Sequence, residues 1–328
     1  ARQARLVAVV VDVHTQEPPR LDESPLFPDA PFRRALVVAN PSAGRGKGDQ
    51  LAADLVEGLK RRGVPAELHL TTTRGDARAR VRCLEHEADL VVSVGGDGTL
   101  REVFCGLLDP SIPVGVLPLG TANVLSLDLG LPRDVDRALE VFCEKRTVEI
   151  DTYRANGHLG FLVTGVGFDG MCVRALEERR SGPIRKWSYV RAAASVLRDY
   201  RAPELSVEID GEPVKGTFGL VLVSNIVHYA GVLRLAADRR LDDGEFEVYL
   251  FEHGGRLAMV PYAVRGVLGL LPGGSCRMQR ARRVRVTAPE PVPYQVDGDF
   301  RGETPLEFEG TGQRYRLLAP RPAHDTPS

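Results

Sequence analysis

Between residue 34 and about residue 118, apolar runs alternate with amphipathic segments of helical period, and this alternation limits the possible folds more than any other feature. The helix after the first apolar run is the clearest, because Leu51, Leu55 and Leu59 share one face before Gly63 ends the pattern. Strand–helix alternation of this kind predicts a parallel sheet covered by helices, and hence an α/β domain. The predicted strands are Ala35–Ala39, Ala66–Leu70, Leu90–Val94 and Val114–Leu117.

Beyond about Thr147 the pattern changes to short strands and tight turns, with Asn156–Gly157 and Asp210–Gly211 at positions that type I′ hairpins favour. Helical segments near 171–180 and 187–200 interrupt these strands. A second, mainly β domain is therefore expected. Its predicted strands are Val148–Arg154, Leu159–Thr164, Ser206–Ile209, Leu220–Val223, Phe246–Phe251 and Val284–Val286.

The chain has 328 residues, enough for two hydrophobic cores. The first domain is predicted at 34–147 and the second at 148–319, with a final strand that can return to the first domain. Residues 1–33 read as an extension and linker rich in proline and acidic groups, and residues 320–328 as a polar tail.

Composition excludes several classes of protein. The 43 basic and 44 acidic residues nearly balance, which argues against a nucleic acid partner. The five cysteines are widely spaced without a C-x-x-C pair, which indicates a reducing compartment and a cytoplasmic location. No apolar stretch reaches the roughly 20 residues needed to span a bilayer, so any membrane association is expected to be peripheral. The scattered histidines argue against a histidine metal site or a Ser-His-Asp triad.

A glycine-rich loop, Gly95-Gly96-Asp97-Gly98-Thr99, follows the third predicted strand and precedes the helical segment Leu100–Leu107. Glycines let the backbone approach a polyphosphate, and the N-terminus of the next helix directs N–H groups at it. The alternative is a tight strand-to-helix turn with Asp97 as a helix cap.

Two further glycine-bearing polar loops, Asn40–Gly44 and Pro118–Asn123, follow the first and fourth predicted strands. The carboxyl ends of parallel strands converge on the ligand crevice of an open sheet. The three loops together therefore predict one shared nucleotide site.

These loops belong to a longer ordered series of motifs. The series resembles the bacterial diacylglycerol kinase family, which includes relatives of the sphingosine and ceramide kinases, over residues 34 to 318. The motifs are N-P-S-A-G at 40–44, T-T-T-R-G-D-A at 71–77, G-G-D-G-T at 95–99, P-L-G-T-A-N at 118–123, G-V-G-F-D at 165–169, L-D-D-G at 241–244 and V-D-G-D at 296–299.

The resemblance implies an ATP-dependent lipid kinase acting on a diacylglycerol-like acceptor. Its expected fold is a nucleotide-binding α/β domain similar to that of the phosphofructokinases, followed by a β-sandwich domain, with the active site between them. Backbone N–H groups and hydroxyls in the matching loops suit phosphate oxygens. The residues that match the family's ATP contacts are Asn40, Pro41, Ser42, Ala43, Gly44, Thr71, Gly95, Gly96, Asp97, Gly98, Thr99, Leu100, Arg101 and Thr121.

Phosphoryl transfer requires charge neutralisation and a carboxylate that accepts the proton of the attacking hydroxyl. By resemblance, Asp97 and Asp151 match positions that hold magnesium through water, whereas Val124 replaces a third family carboxylate. The family's D-G-E motif becomes Asp297-Gly298-Asp299, which makes Asp299 the expected proton acceptor and Asp297 and Asp97 catalytic candidates with it. Asp299 is one methylene shorter than the family glutamate. The alternative is an inert hairpin turn.

The motif Leu241–Glu245 matches a family site for a structural magnesium ion. Asp243 is the expected side-chain ligand, with the backbone carbonyls of Arg240 and Glu245 beside it, and such an oxygen-rich site suits magnesium. A plain turn capped by an aspartate is the alternative.

Two segments are candidates for contact with a peripheral membrane surface. Ile184–Tyr200 mixes aromatic and basic residues, and Leu257–Leu271 is apolar but interrupted by Pro261 and Gly266. The alternative is that both are helices packed over the β domain. A homodimer is an expectation from the resemblance alone.

Two other functions stay open at this point. Kinases of NAD or of sugar phosphates also carry G-G-D-G loops, and a catalytically weak regulator that binds ATP or lipid would agree with Val124 and the shortened Asp299.

Overall fold

The computed structural model describes residues 31–84, 87–178, 186–229, 233–235 and 240–321. Most of the predicted extension at 1–33 and of the tail at 320–328 lies outside the described residues.

The first part of the chain forms the predicted parallel sheet, with strands in the order β2-β1-β3-β4 and all three neighbouring pairs parallel. In chain order the elements are β1 (Ala35–Ala39), α1 (Ala43–Gly46), α2 (Gly48–Arg61), β2 (Ala66–Leu70), α3 (Asp76–Arg82), β3 (Leu90–Gly95), α4 (Asp97–Gly106), β4 (Val114–Pro118), α5 (Val124–Leu129) and α6 (Val135–Cys143). The predicted α/β fold is confirmed.

Helices cover both faces of this sheet. On one face Leu55 and Leu59 of α2 pack with Phe142 of α6, and on the other Val81 of α3 packs with Phe104 of α4. Fully burying a leucine or phenylalanine stabilises a fold by about 1.5–3 kcal/mol. Strands β1, β3 and β4, which lie between the two cores, are therefore mostly apolar, whereas the edge strand β2 also contains Glu67 and His69.

The second part is built mainly from antiparallel strands. A sheet with strand order β14-β13-β10-β7-β16-β17 faces the strands β5, β8, β15 and β18 across an apolar core. The elements are β5 (Thr147–Ala155), β6 (His158–Gly160), β7 (Val163–Gly167), α7 (Phe168–Glu178), α8 (Lys186–Asp199), β8 (Ser206–Ile209), β9 (Glu212–Pro213), β10 (Leu220–Ser224), β11 (His228–Tyr229), β12 (Leu233–Arg234), β13 (Phe246–Phe251), α9 (Arg256–Val267), β14 (Cys276–Ala281), β15 (Arg283–Thr287), β16 (Pro293–Val296), β17 (Asp299–Glu303) and β18 (Leu306–Leu318).

Aromatic rings fill the space between these two sheets. The Tyr153 ring lies 4.5 Å from Phe308 and 5.6 Å from Phe246 between centroids, and the Phe246 and Phe308 rings meet edge to face. This core confirms the predicted β-sandwich.

The long strand β18 connects the two parts. It pairs antiparallel with β5 and β15, and at Leu317 it lies parallel to Val114 of β4. The parallel sheet therefore continues into the strands of the second part without an edge at β4.

One strand differs from the prediction. Residues predicted as a single strand from Leu159 to Thr164 form β6 and β7, which are separated at Phe161 and Leu162. The backbone N–H groups of these two residues donate to the carboxylate of Asp297 instead of to a neighbouring strand. Because the run is apolar throughout, periodicity alone contains no sign of this break.

Candidate functional site

The three polar loops predicted to share a nucleotide site meet at the carboxyl ends of β1, β3 and β4. The amide of Gly44 donates to the carbonyl of Leu119 at 3.0 Å, and the amide of Leu119 donates to the carbonyl of Gly95 at 2.7 Å. The structure therefore brings the Asn40, Gly95 and Pro118 loops together through their backbones.

Two glycines allow this close approach. A Cβ atom on Gly120 would lie 2.6 Å from the Cα of Gly96, so any side chain there would push the two loops apart. A Cβ on Gly98 would meet nothing within 4 Å, which leaves the backbone at the start of α4 open to a ligand. The geometry matches a loop whose backbone contacts phosphates.

The Asn40 loop is held in a strained shape by its own side chains. Asn40 Oδ1 accepts hydrogen bonds from the amide and the hydroxyl of Ser42 at 3.0 and 2.7 Å. Gly44 and Arg45 both have left-handed backbone, with φ of 60° and 63°. Gly48 was not predicted as part of the site, although a Cβ there would lie 2.2 Å from the carbonyl oxygen of Asn40. The alternating glycines 44, 46 and 48 are the sequence signal for this turn.

The predicted threonine contacts lie at the same edge of the sheet. The amide of Thr71 donates to the carbonyl of Ala39 at 2.8 Å, which places Thr71 beside the end of β1. Thr121 is exposed in the Pro118 loop, and Thr99 lies in the first turn of α4.

Asp97 is the first residue of α4, and Gly96 is the helix cap. The Asp97 carboxylate instead accepts the backbone amide of Val124 at 3.0 Å and so caps α5. Burial raises the pKa of Asp97 to about 6, against the lowering effect of these amide bonds. Asp97 therefore links the glycine loop to Val124, the residue that stands where the family motif has a carboxylate.

Asp299 is the point at which the second part of the chain reaches the glycine loop. Its carboxylate pairs with Arg74 at 2.6 Å, with Arg301 at 2.8 Å and with Arg101 of α4. Arg101 also donates to the carbonyl of Val296 at 3.2 Å. Burial alone would raise the pKa of Asp299, but the charges of Arg101, Arg74 and Arg301 outweigh it and hold that pKa below its usual value.

Asp297, two residues away, has different surroundings. Its carboxylate accepts the Tyr153 hydroxyl at 2.8 Å and the backbone amides of Phe161, Leu162 and Val163 at 2.9–3.1 Å. Burial raises the pKa of Asp297, partly offset by the charge of Arg101. With four donors on its two oxygens, Asp297 fixes the hairpin to β5 and β7, and this geometry favours a positioning role over direct chemistry.

Asp151 contacts the 240–245 turn. One of its oxygens accepts the amide of Gly244 at 2.6 Å, the other accepts Arg314 Nε at 2.9 Å, and its own amide donates to Leu241. A guanidinium and an amide take one lone pair on each oxygen, which leaves further lone pairs for the water-mediated magnesium contact that the sequence predicts. Asp151 also ties β5 to the turn that the sequence assigned to a second magnesium site.

Within that turn, Asp243 Oδ1 accepts the amide of Glu245 at 3.1 Å, and its other oxygen lies 3.7 Å from Arg280 Nη1. Arg240 Nε donates to Asp242 Oδ1 at 3.1 Å. Among the described residues, no three His, Cys, Asp or Glu side chains cluster as they would around a metal ion. One carboxylate beside backbone carbonyls still fits the oxygen ligands that magnesium prefers.

Sequence reasoning missed Arg74 and Arg301. Arg74 lies in the T-T-T-R-G-D-A motif and Arg301 lies two residues after Asp299, but nothing in their spacing shows that both reach the same carboxylate.

Two protein families match this chain. The diacylglycerol kinase catalytic domain matches residues 34–155, and the YegS C-terminal NAD kinase beta sandwich-like domain matches residues 163–319. None of the helices in the described parts of the chain combines the length and apolar character needed to cross a bilayer.

Relatives of known name agree with both matches. The diacylglycerol kinase of Bacillus subtilis strain 168 is 27% identical over 295 residues, which cover 88% of this chain and 97% of that protein. The diacylglycerol kinase of Staphylococcus carnosus strain TM300 is 25% identical over 306 residues, covering 90% of this chain and 97% of that protein.

A crystal structure of a diacylglycerol kinase from Bacillus anthracis strain Sterne superposes with a TM-score of 0.69 and 21% identity, covering 88% of this chain and 97% of that one. It supports the fold. The matched domains and the named relatives favour a lipid kinase over a kinase of NAD or sugar phosphates. The chain therefore belongs to the bacterial diacylglycerol kinase family of ATP-dependent lipid kinases.

Proposed function

We propose that this lipid kinase transfers the γ-phosphoryl group of ATP to a hydroxyl of diacylglycerol or a similar lipid, in the cleft between the glycine loop and the 296–299 hairpin. One observation carries the proposal: Asp299 on the hairpin pairs with Arg101 on the helix that follows the glycine loop. This contact sets a carboxylate directly beside a backbone suited to phosphate.

ATP would lie along the three joined loops. The backbone at Gly98 and the hydroxyls of Thr71, Thr99 and Thr121 supply donors for phosphate oxygens, and α4 directs its N-terminus toward them. The Asn40–Gly44 loop would lie on the opposite side of the phosphates. In this arrangement the γ-phosphate points toward Arg101 and the hairpin.

Asp299 would accept the proton of the attacking hydroxyl. Its lowered pKa keeps it ionised at neutral pH, and a weak base is sufficient because the transition state of phosphoryl transfer is loose and demands little early proton removal. Asp297 would hold the hairpin in position without touching the substrate.

Arg74 and Arg101 would offset charge on the transferred phosphoryl group. With Val124 in place of the family carboxylate, magnesium would have one fewer ligand, and the two guanidinium groups at the same cleft would add to the positive charge that the ion supplies to the phosphates. A phosphate that binds these arginines competes with Asp299 for them. Binding of ATP would thereby release the carboxylate for its role as a base.

Magnesium fits two places in this scheme. In the cleft Asp97 is the carboxylate that would hold it, and in the 240–245 turn Asp243 would do so with the carbonyls of Arg240 and Glu245. When bound in the cleft, magnesium would offset the negative charge of the phosphate oxygens. Asp151, which also accepts Arg314 and the Gly244 amide, would hold magnesium through water.

An acceptor screen tests the proposal. Purified protein is incubated with γ-labelled ATP, magnesium and mixed micelles that contain diacylglycerol, ceramide or sphingosine, and the lipid products are resolved. We expect a labelled product that Asp299→Asn lowers about 100-fold or more, in the range that loss of a general base produces. Asp54→Asn, a change on the exposed face of α2, is the matched control.

Two results would refute the proposal. One is labelling of NAD or a sugar phosphate with none of the three lipids. The other is lipid phosphorylation that Asp299→Asn leaves unchanged.

A further inference from the structure

An apolar stripe runs along the outside of α9 and the turn that follows it. Its members recur at helical spacing and are all at least half exposed, from 51% to 84% of their surface. This set is called the α9 stripe below. Its residues are Leu257, Val260, Val264, Val267, Leu268 and Leu270.

The opposite face of α9 is anchored, so the stripe cannot turn inward. Tyr262 is buried, with its ring 4.7 Å from that of Phe251. Met259 is buried in the same cluster, and a Cβ on Gly266 would lie 3.0 Å from the Leu233 side chain. Sequence reasoning left open whether this segment packs over the β domain. The structure shows that it does, with a second apolar face left in water.

Six large apolar side chains exposed along one helix and the turn after it are unusual for a surface that contacts only water. Leaving apolar surface in water forgoes about 25 cal/mol of stabilisation for each Å². Scattered single leucines need no explanation, but a stripe at helical spacing fits a helix that lies in an interface.

The charges on α9 itself have one sign. Four of the arginines that follow α9 in the chain pair with acidic side chains from other segments, so they do not add to it. From His253 to Pro289 the sequence contains no aspartate or glutamate and seven arginines. Two of these, Arg256 and Arg265, lie on α9 itself and form no ion pair with a described residue. Arg256 donates to the carbonyl of Arg198 at 3.3 Å, and Arg265 donates to that of Leu270 at 3.2 Å, so both are held beside the stripe.

The α9 stripe lies on the second part of the chain, which also carries the proposed base. The inner side chains of α9 pack on the sheet formed by β14, β13, β10, β7, β16 and β17, and its β16–β17 hairpin carries Asp299. A lipid surface at α9 would therefore lie against the same half of the molecule as the proposed base.

We propose that the α9 stripe docks on an anionic lipid bilayer, with its apolar residues in the interface and Arg256 and Arg265 against lipid phosphates. The choice of a lipid as occupant rests on the proposed function. A second copy fits less well, because an antiparallel two-fold contact along α9 would bring Arg256 of each copy toward Arg265 of the other.

Flotation of the full chain with vesicles tests this surface without any turnover. Vesicles of phosphatidylcholine alone are compared with vesicles that also contain phosphatidylglycerol. We expect binding to the anionic vesicles, lowered about tenfold by the double change Leu257→Ser and Val264→Ser, which removes part of the burial of two apolar side chains. Leu108→Ser, at another leucine that is mostly exposed but lies in the first domain, should bind as the unchanged protein does.

Charge is tested separately. Arg256→Gln should weaken binding to anionic vesicles and leave binding to neutral vesicles unchanged, whereas Arg61→Gln on α2 should change neither. Light scattering of each variant reports the mass in solution.

The proposal is overturned if the protein does not bind anionic vesicles or if the double variant binds them as well as the unchanged chain. A halved mass in the double variant, with unchanged vesicle binding, would assign the stripe to a second copy and also overturn it. Phosphorylation of a short-chain, water-soluble diacylglycerol should be equal in the double variant and the unchanged chain. Vesicle binding without phosphorylation of any lipid would refute the proposed function and leave the surface intact.

Discussion

The 296–299 hairpin and the 240–245 turn have similar backbone turns, but their acidic side chains have different partners. Each places acidic residues around a glycine with positive φ, 83° at Gly298 and 75° at Gly244. In the hairpin, Asp299 pairs with arginines that come from a distant part of the chain. In the turn, Asp243 bonds its own backbone at Glu245. The same local motif therefore gives a cleft carboxylate in one place and a closed turn in the other, and distant partners decide which.

The largest expected effect separates these two regions directly. Asp299→Asn should lower kcat for lipid phosphorylation about 100-fold or more, because the base is lost while the fold is kept. Asp243→Asn should change kcat by less than about twofold, since an amide oxygen still accepts the Glu245 amide. Steady-state rates at saturating ATP measure both. Equal losses in the two variants would mean that the turn is as close to the chemistry as the hairpin.

Within the hairpin, Asp297→Asn should mainly lower stability. An amide cannot accept all four donors, and its NH₂ group would face the backbone amides of Phe161 and Leu162. We expect a loss of about 2–4 kcal/mol in the free energy of unfolding. Urea denaturation checks this value, with Asp54→Asn on α2 as the control. A variant as stable as the unchanged chain but inactive would give Asp297 a chemical role.

Asp151→Asn should cost less, about 1–3 kcal/mol, because its Oδ1 can still accept one of its two partners, Arg314 and the Gly244 amide. The same urea experiment measures the loss. If magnesium binds the turn through Asp243, added magnesium should restore part of the lost stability in this variant but not in Asp243→Asn. Restoration in both variants would place the ion elsewhere.

The smallest effect concerns pH. The kcat/KM profile should fall below about pH 6, where Asp97, whose pKa burial raises to about 6, takes up a proton in the free enzyme. Asp299 does not set this limit, because its pKa is lowered and it stays ionised as the pH falls through 6. Asp299→Glu should therefore keep the acidic limb where it is. A limb that moves with this substitution would assign it to the hairpin.

The same two pKa shifts determine how the stability of the fold changes with pH. The lowered pKa of Asp299 means that its ion pairs stabilise the fold above the ordinary aspartate pKa and that this contribution disappears as the pH falls through the lowered value. The raised pKa of Asp97 has the opposite effect on stability. Its charged form destabilises the folded protein above about pH 6, and this loss disappears as the pH falls toward the ordinary aspartate pKa.

Much of the nucleotide side was predictable from sequence. Strands β1, β3 and β4 are mostly apolar because helices cover both of their faces, and the glycine loops follow directly after these three strands. The contacts of Asp299 were not predictable, because Arg74 lies 225 residues away in the chain and no local pattern connects them. The break between β6 and β7 was missed for a similar reason, since Asp297 acts on Phe161 from 136 residues away.

The α9 segment shows a further limit of periodicity. Its apolar residues were visible in the sequence, but both of its faces are apolar, so the pattern does not tell which face the sheet covers. Only the packing of Tyr262 on Phe251 decides it.

The continuity of the sheet through β18 limits how the cleft can move. Two long strands, β5 and β18, cross the boundary between the two parts, and they pair with each other along most of their length. A hinge-like rotation at this boundary would have to break ladder hydrogen bonds that are protected in the interior. The opening and closing steps of each turnover should therefore be confined to side chains such as Arg74 and to the glycine loops. Such motions take nanoseconds to microseconds, so domain closure would not set the pace of the enzyme.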